Sequence, residues 1–470
     1  MRAGGLQATS VLRGLTVAAS FSTRGAQTAA VNAAAEVAGL GEALPHLTRS
    51  GCLYLDYNAT TPILPEVANE MAPFLFEHFG NPSSGHTYGR TCKAAVDLAR
   101  RRVATLVNAA DPSEIHFTSC GTESDNWAIY GSTVAGRRRA AAVGGLAAAA
   151  AAVPHVVTSV VEHPAVLVHL NHLRDLGLLT YTAVPVDREG LVDPADVAAA
   201  VRPSTALVTI MHSNNEVGSL QPIARIATAA RRAHAAAVAA ASGGTAAPGE
   251  RGWLLVHTDA AQSTGKVPLD VEALGVDLMT VVGHKFGAPK GVAALYIRRG
   301  VELPNYFYGG GQEGGRRAGT ENVMQVVGLG AAAAIAVRED EALRSHVGDM
   351  AERLLRGVRG AVAAEDQDKV RVNGPTDPAR RLPNTLSLSI RGLNSALALQ
   401  QLSAQLAASA GAACHSSGAS VSSVLRAMQV PSEYAAGTLR LSTGRHTTPE
   451  EVDRAVALIV GEARRQGVIS

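Results

Sequence analysis

Short apolar segments alternate with longer stretches of helical character between about residue 50 and residue 340. Several of the apolar segments are continuous runs, which is typical of strands that helices cover on both faces of a sheet. We predict strands at EIHFTS (114–119), HVVTSV (155–160), ALVTIM (206–211), WLLVHT (253–258) and DLMTVVG (277–283). Their alternation with helical stretches predicts an α/β fold with a mostly parallel sheet.

The C-terminal part of the chain has a different pattern. After about residue 340 a long helical segment precedes two further strand candidates, TLSLSIRG and TLRLSTG. This order predicts a smaller α+β domain formed by residues 50–64 together with 340–470. The preceding residues, 65–339, are predicted to form the large α/β domain.

Two alanine-rich stretches, 137–154 and 233–252, interrupt the pattern of the large domain. We predict that both are surface insertions between elements and that neither carries chemistry. The longest weakly apolar runs, 140–153 and 326–337, are shorter than the roughly 18 residues that a membrane-spanning helix needs. We therefore expect no membrane segment.

Composition limits the class of protein. The chain has 470 residues, of which 47% are hydrophobic and 17% are charged, so it can bury a sizeable core and is not a disordered chain. Its 42 basic residues against 40 acidic ones give a net charge of +2. A charge this close to neutral argues against a basic nucleic-acid-binding protein.

The small positive charge is located at the N-terminus. The first 35 residues contain Arg2, Arg13 and Arg24 but no acidic residue, and the first acid is Glu36. Without this segment, 39 basic residues stand against 40 acidic ones, a net charge of −1. An Arg-containing, Ser/Thr/Ala-rich segment without acids is typical of an organelle transit peptide. We predict a transit peptide at 1–45 and a mitochondrial location, with a plastid as the alternative; without a functional leader the protein would be cytosolic.

Candidate chemistry lies just past the predicted strands, where ligands bind in open α/β sheets. The strand EIHFTS leads into Gly121 and Thr122, and a Gly-Thr turn at a helix N-terminus offers N–H groups and a hydroxyl to a phosphate. The strand WLLVHT leads into Asp259, and DLMTVVG leads into Lys285. A buried lysine with a lowered pKa is suited to forming a Schiff base.

Together these groups indicate one cofactor. A phosphate-binding turn, a Schiff-base lysine and a carboxylate that can pair with a pyridinium nitrogen are what pyridoxal 5'-phosphate requires. A second pattern, GxGxxG at Gly309, Gly311 and Gly314, does not follow a buried strand and does not open an apolar helix. We interpret it as a flexible loop rather than a nucleotide site.

The chain resembles the cysteine desulfurases and selenocysteine lyases, which belong to the class V aminotransferase group of fold-type I pyridoxal-phosphate enzymes. The resemblance extends from about residue 53 to residue 460. It rests on YLDYNATTP (54–62), FGNPSSGHTYGR (79–90), FTSCGTESDN (117–126), VEHPAV (161–166), MHSNNEVG (211–218), HTDAAQSTGK (257–266), VVGHKFGAPKG (281–291), GGGQEGGRRAGTEN (309–322), GAACHS (411–416) and LRLSTGRHTT (439–448).

The resemblance implies a role for each matched residue at the cofactor. Lys285 would bind the cofactor covalently, Asp259 would pair with its ring nitrogen, and His163 would stack on the ring and transfer protons. The remaining cofactor contacts would come from Gly121, Thr122 and His284 at the phosphate and from Asn215 and Gln262 at the ring hydroxyl. Thr320 would reach the phosphate in a neighbouring subunit, so a homodimer is expected.

The resemblance also implies the substrate side. Arg440 would bind the carboxylate of an amino-acid substrate in the bidentate geometry that favours arginine over lysine, and Asn58 would lie nearby. Cys414 would receive sulfur or selenium on a mobile loop, SAGAACHSSGAS, where His415 could help to hold a thiolate. An acceptor protein would then take the atom onward.

Three features favour a selenocysteine lyase over a cysteine desulfurase within this family. They are the sequence GAACHS, the positions of the two alanine-rich stretches, and Val282, where desulfurases tend to have a serine. Pro164 departs from the animal selenocysteine lyases, which carry an acid after the histidine, so cysteine desulfurase remains the alternative.

Two readings outside this pair also remain open. An aminotransferase of the same fold would not need Cys414, and an inactive scaffold would not need Lys285, Asp259 and His163. The other cysteines, Cys52, Cys92 and Cys120, are interpreted as structural. No metal site is expected, because Cys414 and His415 have no obvious further ligands and zinc usually has four.

Overall fold

The computed structural model describes residues 51–241, 253–415 and 418–470, and within 143–151, 412–415 and 418–420 it describes the backbone alone. The predicted transit peptide therefore lies outside the described residues. Leu53–Leu402 and Leu406–Ser470 form one compact unit, which contains every element discussed below. The other unit consists of Met1–Cys52 and Ser403–Gln405.

The described chain contains helices and strands throughout. The strands are β1 (Leu53–Tyr54), β2 (Ile115–Thr118), β3 (His155–Ser159), β4 (Thr180–Val184), β5 (Thr205–Thr209), β6 (Leu255–Asp259), β7 (Leu278–Val282), β8 (Ala293–Ile297), β9 (Val370–Asn373), β10 (Thr385–Ile390), β11 (Leu406–Ala407), β12 (Ser409–Ala410), β13 (Ala412–His415), β14 (Gly418–Val421) and β15 (Thr438–Ser442). The α-helices are α1 (Pro65–Met71), α2 (Thr87–Leu106), α3 (Gly121–Ala151), α4 (Pro164–Asp175), α5 (Pro194–Ala200), α6 (Ile223–Ala241), α7 (Val271–Leu274), α8 (Val323–Ala361), α9 (Ser395–Gln401), α10 (Ser423–Ala427), α11 (Ser432–Ala435) and α12 (Pro449–Arg465).

A seven-stranded sheet forms the larger layer of the fold. Its strand order is β2-β8-β7-β6-β5-β3-β4. The pairs among β7, β6, β5, β3 and β4 are parallel, whereas β8 is antiparallel to both of its neighbours. The prediction of an α/β fold with a mostly parallel sheet is confirmed; β4 and β8 were not among the predicted strands.

Apolar residues cover both faces of this sheet, as the continuous apolar runs predict. Val156 and Leu207 belong to one hydrophobic cluster, while the next residues in the same strands, Val157 and Val208, belong to another. Because successive side chains of a strand point to opposite faces, the two clusters are the two helix-covered faces of the sheet.

A second, four-stranded antiparallel sheet follows in the C-terminal part, with the order β12-β15-β10-β9. Leu388 of β10 and Leu441 of β15 pack in one cluster with Leu354 of α8 and Ile459 of α12. This cluster is separate from those of the large sheet. The predicted strands TLSLSIRG and TLRLSTG correspond to β10 and β15, whose leucines form part of it. The fold-class prediction of a smaller α+β part is confirmed.

The prediction of surface insertions between elements is wrong for most of the first alanine-rich stretch and for part of the second. Residues 137–151 continue α3, and 233–241 complete α6. Alanine has the highest helix propensity, so an alanine-rich run extends a helix rather than interrupting it. Residues 242–252 lie outside the described part of the chain. No helix among the described residues is long and apolar enough to cross a membrane.

Candidate active site

The carboxyl ends of the parallel strands open into a cavity of about 240 Å³. The turn after β2, the segments after β3 and β5, the end of β6 and the segment after β7 all contribute side chains to it. Eight of the twelve predicted site residues line this cavity: Gly121, Thr122, His163, Asn215, Asp259, Gln262, His284 and Lys285. The sequence therefore predicted the location of the cavity and most of its wall.

Lys285 lies in a short 3-10 helix, Gly283–Lys285, directly after β7. Its Nζ donates hydrogen bonds to the carbonyl oxygens of Asn58 at 2.7 Å and Ala59 at 2.9 Å. Desolvation, together with the nearby charge of Arg440, lowers the pKa of Lys285 to about 8. The amine is therefore far closer to its neutral, nucleophilic form at neutral pH than an exposed lysine is.

Asp259 ends β6 and is a buried carboxyl group. Its Oδ1 accepts a hydrogen bond from the Ala261 N–H at 2.9 Å, and no described residue donates to Oδ2. Burial raises the pKa of Asp259 above its usual value, while His163 and Lys285 oppose the shift. A buried carboxylate with an unused oxygen at a cavity wall is suited to a cationic N–H group of a ligand.

The opposite end of the cavity is suited to a phosphate. Helix α3 begins at Gly121, so its first N–H groups are directed to this end. A Cβ atom on Gly121 would lie 2.7 Å from Cγ2 of Val282, so any larger residue would have to displace the Val282 side chain. The acid in the first turn, Glu123, is paired with Arg317 at 2.8 Å, which offsets its negative charge next to the anion site.

Burial lowers the pKa of both histidines of the cavity and so favours their neutral forms. His163 caps α4, and its Nδ1 accepts a hydrogen bond from the Ala165 N–H at 3.1 Å. The neutral ring therefore carries its proton on Nε2. Desolvation and nearby Lys285 lower the pKa of His163, although Asp259 opposes the shift. Desolvation, followed by the charge of Lys285, lowers the pKa of His284 to about 4.

Two buried polar residues were not singled out in the sequence: Asp125 lines the cavity, and Lys266 lies behind its wall. Asp125, in the first turns of α3, is 2% exposed, lines the cavity and accepts a hydrogen bond from Thr280 at 2.8 Å. Burial and the charge of Asp259 raise the pKa of Asp125 well above its usual range. Lys266 lies behind Gln262 and is 7% exposed. Lys266 could have been identified from its position four residues after Gln262 in the motif HTDAAQSTGK.

The predicted substrate residues Arg440 and Asn58 do not line the cavity wall but lie beside it. Arg440 donates to the carbonyl oxygen of Asn215 at 3.1 Å, to Oδ1 of Asp56 at 2.8 Å and to Oγ of Ser409 at 2.8 Å. Its Nε is buried without a hydrogen-bond partner among the described residues. Asn58 is 1% exposed and is bonded through its side chain to neighbouring protein groups.

The two remaining predicted residues are Cys414 and Thr320. The backbone of Cys414 lies in β13, opposite Ala419 of the antiparallel strand β14. The side chain of Cys414 is outside the described part of the structure. Thr320 is exposed and does not line the cavity of its own chain.

The glycine-rich loop that precedes Thr320 is anchored to the sheet at one buried residue, Glu313. Glu313 forms a two-pronged ion pair with Arg100 at 2.7 Å and accepts the Phe117 N–H at 2.9 Å. Glu313 is 7% exposed, so this anchor is buried. Its contacts come from residues about two hundred positions earlier, which no local pattern reveals.

The cavity fits pyridoxal phosphate. An amine of lowered pKa, a buried carboxylate with an unused oxygen, and a helix N-terminus with a hydroxyl residue lie around one space. Lys285 would form the covalent link, Asp259 would pair with the ring nitrogen, and Thr122 and His284 would bind the phosphate. These are the three kinds of group that this cofactor requires.

Comparison with known proteins is consistent with this fit. The chain matches the family described as Aminotransferase class-V over residues 53–247 and 249–455. A cysteine desulfurase IscS of Methanosarcina thermophila is 39% identical over 413 residues, covering 88% of this chain and 92% of that protein. A selenocysteine lyase of Bos taurus is 41% identical over 433 residues, covering 87% of this chain and 94% of that protein.

The solved structures agree in fold. A structure described as a NifS-like protein superposes with a TM-score of 0.75 at 32% identity, covering 88% of this chain and 100% of that one. The class-V family and its cysteine desulfurases use pyridoxal 5'-phosphate. The chain belongs to the class-V aminotransferase family, and it is a pyridoxal-phosphate enzyme of the type that includes cysteine desulfurases and selenocysteine lyases.

Proposed function

We propose that this enzyme is a selenocysteine lyase, which removes selenium from L-selenocysteine and releases L-alanine. The observation that carries the proposal is the placement of Lys285, with a pKa of about 8, in one cavity with Asp259 and His163. Within the family, the choice of selenocysteine rests on GAACHS, on the apolar Val282 at the cavity wall, and on the 41% identity to the bovine selenocysteine lyase.

The second candidate is a cysteine desulfurase. The relatives with this name include the IscS of Methanosarcina thermophila at 39% identity and the NifS of Azotobacter vinelandii at 38% identity. A cysteine desulfurase would use the same cavity, and the atom removed from its substrate would be sulfur instead of selenium. The two substrates differ only in sulfur against selenium, so direct kinetics must separate them.

When bound, pyridoxal phosphate supplies an electron sink for the negative charge that develops at the substrate α-carbon. The chain supplies the proton transfers. The neutral Nζ of Lys285 accepts the α-proton, and the carbonyl oxygens of Asn58 and Ala59 hold that amine in place before the reaction. The neutral ring of His163 keeps its proton on Nε2, so it can donate a hydrogen bond from that atom, because Nδ1 is occupied by the Ala165 N–H. The guanidinium of Arg440 binds the substrate carboxylate.

The bond that breaks is Cβ–Se of selenocysteine or Cβ–S of cysteine. Its electron pair stays on Cβ, which takes up a proton, so alanine is the product. Sulfur is transferred to the Cys414 thiolate, so cysteine and the Cys414 thiol give alanine and a Cys414 persulfide. Selenium leaves at the oxidation level of the element. It is either transferred to Cys414, as sulfur is, or released directly. An acceptor protein that takes the chalcogen from this position is part of the proposal.

The test compares kcat/KM for L-selenocysteine and L-cysteine on the purified, cofactor-loaded enzyme, with alanine as the measured product. A selenocysteine value well above the cysteine value supports the lyase. A cysteine value equal to or above it contradicts the lyase and favours the desulfurase. Cys414→Ala is the matched variant: cysteine turnover left intact by this change would favour an aminotransferase of the same fold instead.

We also propose a homodimer in which Thr320 of each subunit reaches the cofactor phosphate of its partner. The exposure of Thr320 outside the cavity of its own chain supports this. Co-expression of Lys285→Ala and Thr320→Ala chains tests it, because a mixed dimer would then contain one intact site. Recovery of activity in the mixture supports the proposal, and two inactive sites would contradict it.

We further propose that residues 1–45 direct the enzyme to mitochondria. Their three arginines and absence of acids before Glu36 support this. A fusion of residues 1–45 to a fluorescent protein should enter mitochondria, and a matched fusion with glutamine at Arg2, Arg13 and Arg24 should remain in the cytosol. Entry into plastids, or a cytosolic location of the first fusion, would contradict the proposal.

A further inference from the structure

Lys266 is a buried lysine that lies behind the cavity rather than in it. Its side chain is 7% exposed, and its Nζ donates hydrogen bonds to Oδ1 of Asn58 and to Oε1 of Gln262, each at 3.0 Å. Desolvation, with the charges of Lys285 and Arg440 nearby, lowers the pKa of Lys266 well below its usual range. Burying an amine is costly, so its presence here calls for a physical reason.

The chemistry of the amine determines how Gln262 is oriented. Nζ donates to both amide oxygens and so pairs with the oxygen end of the Gln262 amide; the ammonium form has no acceptor and therefore enforces this orientation. The nitrogen end then faces the other way, and Nε2 donates to the carbonyl oxygen of Asn58 at 2.9 Å. That bond uses one of the two Nε2 hydrogens. Because Gln262 lines the cavity, the second hydrogen is available to an acceptor of a bound ligand.

The same amine orients Asn58. Oδ1 of Asn58 accepts from Lys266 and from Asn384 at 3.1 Å, so its Nδ2 is left to donate to Thr385 at 2.8 Å. With the side chain fixed at both ends, the main-chain carbonyl of Asn58 is held in place. That carbonyl oxygen accepts from both Lys285 at 2.7 Å and Gln262 at 2.9 Å.

We propose that Lys266 is a positioning residue: its amine fixes the amide orientations of Gln262 and Asn58, which presents an N–H donor to the cofactor and holds the Lys285 amine. The proposal rests on the proposed function for the role of Lys285. Lys266 itself touches neither the cofactor cavity nor the substrate residue Arg440 through a hydrogen bond among the described contacts.

The test measures cofactor binding rather than turnover. Lys266→Met keeps the length and volume of the side chain but removes the donor. Without the donor the Gln262 amide can turn over and present its oxygen to the cavity. We expect the Kd of the apo-enzyme for pyridoxal phosphate, measured by absorbance titration, to rise about tenfold or more, because a charged or polar ligand group loses its donor. Lys93→Met, at an exposed helix position, is the control and should leave Kd unchanged.

A double-mutant cycle separates this role from a general structural one. In a Gln262→Leu background the amide is absent, so Lys266→Met should weaken cofactor binding by much less than it does in the wild type. Equal losses in both backgrounds would overturn the proposal, and so would an unchanged Kd of the single variant. The melting temperature of each apo-protein shows that the variants are folded.

If Lys266→Met does not fold, Lys266→Gln is used in the same cycle. Its amide offers an acceptor as well as a donor and therefore no longer selects one end of Gln262.

Failure of the proposed function is recognised separately, because the wild-type enzyme would then bind pyridoxal phosphate without releasing alanine from either amino acid. The Lys266 result depends only on differences in cofactor binding.

Discussion

Two sides of the active site are built in different ways. What we propose as the cofactor side contains Thr122, Asp259 and Lys285 at the edge of the seven-stranded sheet. What we propose as the substrate side contains Arg440 with its partners Asp56 and Ser409 at the four-stranded sheet. On the cofactor side, Oδ2 of Asp259 has no donor among the described residues. On the substrate side, both Nη atoms of Arg440 are already bonded to protein groups.

This difference indicates how each side meets its ligand. On the cofactor side, Oδ2 of Asp259 is unused by the described residues and can meet a ligand N–H with little rearrangement, although the Lys285 amine must give up its two carbonyl partners. If Arg440 binds the substrate as proposed, it must exchange partners, because a substrate carboxylate would compete with Asp56 for the same guanidinium. We therefore expect changes on the cofactor side to abolish activity and changes on the substrate side to alter mainly KM.

The largest effect is expected from Lys285→Ala. The variant lacks both the covalent attachment point and the base for the α-proton, so kcat should fall by at least about 10³-fold. The measurement is the rate of alanine release, together with the loss of the absorbance of the covalently bound cofactor. Lys93→Ala is the matched control at an exposed lysine. Retention of more than a tenth of the wild-type kcat would contradict the assignment of Lys285.

Arg440→Lys should have the next largest effect, on KM. Lysine keeps the positive charge but cannot bind a carboxylate through two parallel hydrogen bonds. We expect KM for the amino acid to rise roughly 10- to 100-fold, which corresponds to about 1.4–3 kcal/mol for lost charged hydrogen bonds, with a smaller change in kcat. Arg445→Lys is the control, because Arg445 pairs with Glu66 and Glu339 instead. A change confined to kcat would remove Arg440 from the carboxylate site.

The cofactor side was largely predictable from the sequence, and physical reasons explain why. Asp259 and Lys285 follow continuous apolar runs, and the carboxyl ends of parallel strands meet at one edge of a sheet. Once the strands were predicted, the polar residue at the end of each strand could therefore be placed at this edge of the sheet. Recognition of the family motifs then added roles that spacing alone does not give.

The contacts behind the cavity were not predictable in this way. Asn58 meets Lys266 across 208 positions of sequence, and Asp56 meets Arg440 across 384. These contacts form where residues 58–61 hydrogen-bond both to Ser442 of β15 and to His284 after β7, and no local sequence period predicts them. The antiparallel strand β8 was missed for a related reason, since its insertion between β2 and β7 depends on the whole sheet.

The pH dependence of cofactor attachment tests whether the pKa of Lys285 is lowered. Only the neutral amine of Lys285 can attack the cofactor aldehyde, and its pKa is about 8. The rate of cofactor attachment to the apo-enzyme should therefore rise about tenfold per pH unit below pH 8 and level off above it. Stopped-flow absorbance from pH 6 to pH 10 measures this rate. A rise that continues to about pH 10, the usual range of a lysine, would show that the cavity does not lower the pKa of this amine.

The smallest effect, and the one that tests the substrate side most directly, is expected from Asp56→Asn. Asparagine keeps the shape and can still accept a hydrogen bond from Arg440, but it removes the internal negative charge that competes with the substrate carboxylate. Asp56 and Arg440 are partly exposed, with side-chain exposures of 18% and 13%, so the competing interaction is screened and modest. We expect KM for the amino acid to fall roughly two- to fivefold while kcat stays within about twofold, as is usual for partly exposed ion pairs. Ser409→Ala is the matched variant, because it removes a neutral partner of Arg440 and should leave KM nearly unchanged. A higher KM in Asp56→Asn would show instead that Asp56 holds Arg440 in its binding orientation, and the two sides of the site would then be equally preorganised.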